Sequence, residues 1–550
     1  TEISKTSHGL KGLMAPDTVS TEVDIHQDGV TMVKSLCYFC HANCGVLAYV
    51  KDGDVIKIEG DPDYSSQGGL CCRGTSALLH VNHPARINHA LKRVGEKGEG
   101  KWEQIPYDQA IQEVADRLNQ IKAESGAEAV ASAGGTTRTD DWARRRFLNQ
   151  FGTPNGFHNA LLCWIPTFMA ETCVAGWSPF ETDLGAAKCL ILWGMNPGAS
   201  TLGGMNGYPD LQKAGLKIIV VDPRYSETAS KADLWLPLRP GTDAALAMGI
   251  LHVMMEEEIY DKEFVECWCY GFDQLKEACE PYTAEKTAEI CWIEPEKIVE
   301  AARMNAQADG MIMQWGVSVD MSKEAVPACQ ALSAIFQITG NVDVPGGMIA
   351  PPSILPYYAG WGGENLSDEQ KEKRLGIHKY PLYRYGFKNA STDVTIECLE
   401  TGKDELGNDY PLKAGWLQTT NPLINSSPDT RRTYHALDKL EFIVSVDMFM
   451  TPTVQALADV FLPACTFAER NGIRIGDGVQ RGETINKAVQ VGEAKSDMVI
   501  NLEIGKRICP EFYPWDTEEE MFSHILEGMD MTFEELREAA PTYLDFEYKK

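Results

Sequence analysis

A chain of 550 residues is too long for one hydrophobic core, and with 44% hydrophobic and 23% charged residues it has the composition of an ordinary globular protein built from several domains. Its 79 acidic against 50 basic side chains give a net charge of −29, which repels phosphate backbones and anionic headgroups and argues against nucleic acid or anionic membranes as partners. No apolar run reaches the roughly 20 residues a bilayer requires; the longest candidate, Ala244 to Met255, contains His252 and predicts a buried helix.

Residues 1–33 are polar and predict an arm ahead of the first domain. "SLCYFCHANCG" then places Cys37, Cys40 and Cys44 close together, and Cys71 and Cys72 follow in "LCCRG". Structural zinc usually uses two separated cysteine pairs. Three thiols on one loop plus one distant thiol suit a cubane iron–sulfur cluster better, with zinc and no metal as the alternatives. The other eleven of the 16 cysteines are scattered, and most are expected to be small buried hydrophobes; so many free thiols point to a reducing or anoxic setting.

Between the cysteines, "CGVLAYVKDGDVIKIEGDP" alternates apolar and polar residues about Lys51-Asp52-Gly53-Asp54 and predicts a β-hairpin. Ile111, Val114, Leu118 and Ile121 then fall at helical spacing and stop at Gly126. Short apolar runs follow: "AVASAGG", "CLILWG", "KIIVVDP", "GMIMQWG" and "KLEFIVSVD". The spacing of the second and third around "GYPDLQKAGL" predicts strand, crossover helix and parallel strand, hence doubly wound α/β structure. Residues 350–390, rich in Pro, Gly and aromatics, predict a long ordered excursion.

The cysteine motif, "LCCRG", "GEGKWEQIPYDQAIQEVADRL", "RRRFLNQFGTPN", "LILWGMNPGAS", "VVDPRYSETASKADLWLPLRPGTDAAL", "QITGNVDVPGG", "TTNPLINSSPD" and "VDMFMTPTVQALADVFLPA" together resemble the molybdopterin oxidoreductases of the dimethyl sulfoxide reductase superfamily, over residues 35–505 and in the family's order. The resemblance implies an α/β multidomain fold: a small β-rich Fe–S domain at 34–88, one pterin-dinucleotide domain from 89–159 with 340–505, another from 160–339, and a helical segment at 506–550. It implies a 4Fe-4S cluster on Cys37, Cys40, Cys44 and Cys71 (Cys71 rather than Cys72), two molybdopterin guanine dinucleotides, and molybdenum or tungsten. The family's C-terminal cap is expected to be missing here. A removed twin-arginine signal or cytoplasmic trimming would each explain the start at Thr1, so the compartment stays open.

Residue by residue, the resemblance assigns Arg73 to a position between cluster and pterin. One dinucleotide falls to Trp193, Gly194, Asn196, Gly198, Asp222, Pro223, Arg224, Gly241, Thr242, Asp243 and Gly316. The amides of Gly194 and Gly198 are expected to meet phosphate, and Asp222 and Asp243 to accept from ribose and guanine donors. The other dinucleotide falls to Asn421, Pro422, Asp447 and Thr451. Helix or turn capping is the plain alternative for Asp222 and Asp447.

The resemblance makes Cys163 the protein ligand of the metal, with Cys173 as a nearby competitor. Trp164 stands where formate dehydrogenases carry His, which argues against formate oxidation. The local pattern is similar to the branch holding acetylene hydratase and catechol dehydroxylases. His41 replaces the Asp that follows the second cluster cysteine in acetylene hydratase; it can serve as acid or base, or only as a hydrogen-bond donor beside the cluster. His158 and Trp164 flank Cys163 as substrate contacts, and Tyr357, Tyr358, Trp361 and Tyr380 could line an entrance. The expected activity is a redox reaction on a small or aromatic substrate, reductive dehydroxylation among the options, with a ferredoxin-like electron partner. A non-redox hydratase is the alternative, and a pterin-free electron-transfer subunit a third reading.

Overall fold

The computed structural model describes residues 23–40, 42–64, 66, 68–135, 141–158, 163–201, 207–350, 366–385, 389–425, 427–475 and 481–543. His41, Tyr357, Tyr358 and Trp361 lie outside the described residues. Two compact units divide the chain: the first draws on Thr1–Asn159, Ile354–Ile475 and Arg481–Thr542, the second on Ala160–Ser353.

The first unit begins with an antiparallel meander of β1 (Thr31–Leu36), β2 (Gly45–Lys51) and β3 (Asp54–Gly60). The predicted hairpin is present. Asp52 and Gly53 both hold positive φ, 52° and 87°, as a two-residue turn matched to the strand twist demands. Leu36, Val46, Val55 and Ile58 bury one face together with Cys37 and Cys44. The chain continues through β4 (Leu91–Arg93), β5 (Trp102–Gln104), α1 (Tyr107–Ser125), β6 (Val130–Gly134), α2 (Asp141–Phe151) and β7 (Gly156–His158). Helix α1 buries Ile111, Val114, Leu118 and Ile121 and ends where Gly126 takes φ 85°.

The second unit runs α3 (Ile165–Ala175), β8 (Glu181–Thr182), β9 (Cys189–Trp193), α4 (Tyr208–Lys213), β10 (Lys217–Val221), β11 (Leu234–Leu236), α5 (Asp243–Glu256), β12 (Met311–Trp315), α6 (Val317–Asp320), α7 (Ala325–Ile338) and β13 (Met348–Ile349). β9 to β12 form a parallel sheet in the order β11-β10-β9-β12. A parallel sheet covered on both faces needs continuous apolar strands, and every residue of "CLILW" is buried. Helix α5 is the buried helix predicted around Ala244–Met255.

Back in the first unit come β14 (Ala414–Gln418), β15 (Phe442–Asp447), α8 (Pro452–Leu457), β16 (Val460–Pro463), β17 (Gly472–Ile475), β18 (Arg481–Ile485) and α9 (Asp497–Ile508). Its main sheet has the order β5-β4-β16-β15-β14-β6-β7, parallel from β16 to β7, with β4 and β5 antiparallel at one edge. Of the scattered cysteines, Cys189, Cys279, Cys291, Cys329, Cys398 and Cys509 are buried, but Cys173 and Cys267 are exposed. Within 350–390 the described parts include two short helices, and exposed Tyr380 donates its hydroxyl to Asp393 at 2.6 Å.

Candidate cofactor and metal sites

The register that pairs Leu36 with Gly45 makes Cys37 to Cys44 the connection between β1 and β2, closed by the Cys37 amide on the Cys44 carbonyl at 2.8 Å. Cys71 joins them in space: Cys37 and Cys44 both feel its charge. Burial pushes the Cys37 thiol up to about 11 and raises Cys44. Cys71 ends below the ordinary thiol value. Burial would raise it, but the amides of Gly74 and Arg73 and the Arg73 guanidinium outweigh that. Cys72 is exposed. Three thiols on one loop with a fourth from a separate segment suit a cubane cluster better than the two separated pairs usual for structural zinc.

Each parallel sheet has one place where the chain leaves in opposite directions from neighbouring strands: between β9 and β12 in the second unit and between β6 and β14 in the first. Doubly wound folds bind ligands at the carboxyl ends of such strands. Both places show the same close approach of backbones. A Cβ on Gly316, after β12, would run into the Gly194 carbonyl after β9; a Cβ on Gly135, after β6, would run into the Thr419 carbonyl after β14. Gly194 and Thr419 both have positive φ, 58° and 53°. An aspartate follows on the next strand in each case: Asp222 beyond β10 and Asp447 ending β15. Gly135 and Thr419 were not singled out from sequence, although "AGG" after a strand is the pattern that could have found Gly135.

The amides of Gly194 and Gly198, expected to meet phosphate, have acceptors within the protein in this structure. Gly194 donates to the Val221 carbonyl at 2.7 Å and Gly198 to Thr228 Oγ1 at 3.0 Å. What Gly194 contributes is absence of a side chain: a Cβ there would collide with Ser318 Oγ. Asn196 is tied down too, its Oδ1 accepting from Thr228 Oγ1 at 2.6 Å and its Nδ2 donating to Glu227 at 2.9 Å. Asp222 and Asp447 do cap turns, with Oδ1 accepting from Arg224 N at 2.8 Å and from Met448 N at 2.6 Å. That occupies one carboxylate oxygen. Burial raises the Asp447 carboxyl. Asp243 opens α5 behind Thr242 and Gly241 and accepts from Trp193 Nε1 at 2.8 Å, so Trp193 orients a carboxylate at the same strand ends. Pro223 and Arg224, which follow Asp222, are exposed. Thr451 caps α8, and Asn421, next to Pro422, bonds Thr453.

Cys163 is half-buried on the turn before α3, and burial, then Asp320, raises its thiol. Trp164 begins α3 and stacks at a tilt on Phe168, 5.1 Å between centroids. His158 is buried at the end of β7 in the other unit. The turn is anchored by a residue that sequence did not reveal. Asp320 Oδ1 accepts from both Thr167 N (2.9 Å) and Thr167 Oγ1 (2.8 Å), and Thr167 Oγ1 accepts from Trp315 Nε1 at 2.7 Å. One turn along α3, buried Glu171 accepts from Ser178 Oγ at 2.5 Å, and burial pushes its carboxyl up to about 7.

That raised value has a measurable consequence. The folded state holds the Glu171 proton more tightly than the unfolded chain does, so its contribution is intact below the ordinary carboxylate range and is lost as pH rises towards 7. The shift corresponds to about 3 kcal/mol. The urea concentrations at which α3 becomes open to proteolysis at pH 5 and pH 8 should differ less for Glu171→Gln than for the native chain; equal differences would show that Glu171 does not titrate in this range.

The fold defines a class: an N-terminal cysteine-bearing meander and doubly wound units whose parallel sheets each carry a switch point in strand order. Comparison with known proteins gives it a family. Residues 30–83 match the molybdopterin oxidoreductase Fe4S4 domain, and residues 86–507 match molybdopterin oxidoreductase. Acetylene hydratase of Syntrophotalea acetylenica is 32% identical over 537 residues, spanning 91% of this chain and 72% of the relative. The molybdopterin-containing subunit of thiosulfate reductase from Salmonella typhimurium is 28% identical over 531 residues, 92% of this chain and 68% of the relative. The solved structure of acetylene hydratase from Pelobacter acetylenicus superposes with a TM-score of 0.85 at 30% identity, covering 93% of this chain and 74% of that one. The chain belongs to the molybdopterin oxidoreductases. It is an enzyme of that family, and its cofactors are a molybdopterin-held molybdenum or tungsten and a 4Fe-4S cluster. No described helix is long and apolar enough to cross a membrane.

Proposed function

We propose that this enzyme carries out a redox reaction on a small or aromatic substrate, reductive dehydroxylation being one specific form beside dehydrogenation and oxygen-atom transfer, and exchanges electrons with a ferredoxin-like partner through its cluster. The reading rests above all on the repeated strand-end arrangement, with Gly316/Gly194 and Asp222 at one crevice and Gly135/Thr419 and Asp447 at the other. Two such crevices suit two pterin guanine dinucleotides. When bound, the metal supplies two-electron chemistry and the cluster supplies one-electron steps. The chain's own residues do the rest. Asp222, Asp243 and Asp447 accept hydrogen bonds from guanine and ribose donors. Cys37, Cys40, Cys44 and Cys71 hold the cluster, with Arg73 beside Cys71. Cys163 offers a soft thiolate to the metal, and Asp320 through Thr167 fixes the turn that presents it. Trp164, beside Cys163, contacts substrate, and His41 moves or holds a proton. Removing an aromatic hydroxyl consumes two electrons and two protons and releases water, so the reaction needs an external donor.

A second reading is favoured by the likeness to acetylene hydratase: hydration, with the reduced metal acting as a Lewis acid. The deciding test uses anaerobically purified holoenzyme with metal content measured first. About four Fe and one Mo or W per chain are expected. Turnover of catechols that stops when a reduced viologen donor is withheld supports the redox reading. Sustained water addition to acetylene without any donor overturns it.

A further inference from the structure

Across the β17–β18 ribbon, Arg474 stands directly opposite Glu483. Their side chains form an ion pair, Nη1 to Oε2 2.5 Å, at 6% and 1% residue exposure. A buried pair of this kind is weak support for stability, because desolvating both charges offsets their attraction. Its surroundings indicate another use. The ribbon packs on the cysteine module: Asn486 donates its backbone amide to Ser35 Oγ at 3.0 Å and its Nδ2 to the Lys34 carbonyl at 2.8 Å, two and three residues before Cys37. Ile485 shares a core with Leu36, Cys37, Cys44 and Tyr64. The Tyr64 ring fills the space over Gly45, where any Cβ would strike it, and its phenol is raised by burial and by Glu483. Glu483 and Ile485 point to the same face of β18 and Arg474 stands opposite Glu483, so the pair lies on the face of the ribbon that meets the cysteine module.

We propose that Arg474 sets the reduction potential of the cluster, holding it higher than the four thiolates alone would allow, with Glu483 as its partial counterweight. The proposal rests on the reading that Cys37, Cys40, Cys44 and Cys71 carry the cluster. Reduction adds one negative charge to a group already crowded by thiolates, and a buried cation in a low-dielectric surround favours that charged product. Arg474 is therefore a positioning residue for electron entry and touches no substrate.

The test is an EPR-monitored redox titration of holoenzyme, comparing the native chain with Glu483→Gln and with the pair Arg474→Gln/Glu483→Gln. Iron content and the reduced-cluster signal of the native chain come first; if they are absent, the cysteine reading itself fails. With the cluster present, the double variant is expected to lower the reduced-to-oxidised ratio at fixed potential about tenfold, which for one electron is about 59 mV. Glu483→Gln, which keeps the cation and removes the anion, is expected to shift it the other way. The opposite signs separate a field effect from general loosening of the ribbon. An unchanged midpoint in whichever variant retains its cluster, or shifts of the same sign in both, overturns the proposal.

Discussion

Replacing Cys163 by serine is expected to leave the fold and the iron content intact and to cut turnover more than 100-fold. Partners that merely support a metal ligand typically cost about 10–100-fold when lost, so a direct ligand must cost more. Serine keeps the size of the side chain but replaces a soft thiolate with a weakly acidic hydroxyl, a poor match for a metal already held by sulfur. The turn itself should survive the change, since α3 is anchored by the Asp320–Thr167–Trp315 hydrogen bonds and not by the thiol. Exposed Cys173, ten positions along, is the internal control. Cys173→Ser should retain the native rate. Metal analysis and the EPR signal of the molybdenum or tungsten centre would show an altered ligand field in Cys163→Ser alone. A Cys163→Ser enzyme with native turnover and an unaltered signal would remove Cys163 from the metal site.

The parts of this fold that were readable from sequence are those whose signal is local. A two-residue Asp52-Gly53 turn between alternating strands specifies the hairpin, and three cysteines on its entry loop specify where a cluster can sit. Continuous apolar runs such as "CLILW" and "KIIVV" specify buried parallel strands. The crevices were less accessible, because each joins strand ends far apart in the chain. Nothing near Gly135 announces Thr419 as its neighbour, and nothing near Gly194 announces Gly316. Thr167 and Asp320 are likewise linked only once α3 and α6 are packed. The acceptors of the Gly194 and Gly198 amides were hidden for a related reason. A strand–glycine–helix pattern shows where amides emerge, but their acceptors, the Val221 carbonyl and Thr228 Oγ1, come from the neighbouring strand and loop. The exposure of Cys173 was hidden more simply: spacing alone does not reveal which face of an isolated helix such as α3 is covered.

The second large effect is expected at the other buried ion pair beside the cysteine module. Arg86 Nη2 lies 2.8 Å from both carboxylate oxygens of Glu469, with side-chain exposures of 2% and 0%. Arg86 also donates to the Val81 carbonyl at 2.8 Å, at the end of the short helix that follows the fourth cysteine, while Glu469 Oε2 closes a capping box with Thr466. The pair thus connects the segment after Cys71 to the loop that leads into β17. Removing one partner leaves a desolvated charge with nothing to meet it, which typically costs about 3–5 kcal/mol, whereas replacing both with apolar groups of similar volume can be nearly neutral. Glu469→Gln should therefore destabilise the module by most of that amount, and Arg86→Met/Glu469→Leu should recover much of it. A chain of several domains does not unfold as one two-state unit, so the reading must be local. Hydrogen exchange of the β1–β3 amides, together with the urea concentration at which cluster absorbance is lost, reports this region alone. If Glu469→Gln matches the native chain in both, the pair does not hold the module in place. If the single variant loosens it and the double variant restores it, the cost lies in the stranded charge, and what keeps the module seated is apolar packing among Phe467, Ala468, Ile485 and the cysteine loop.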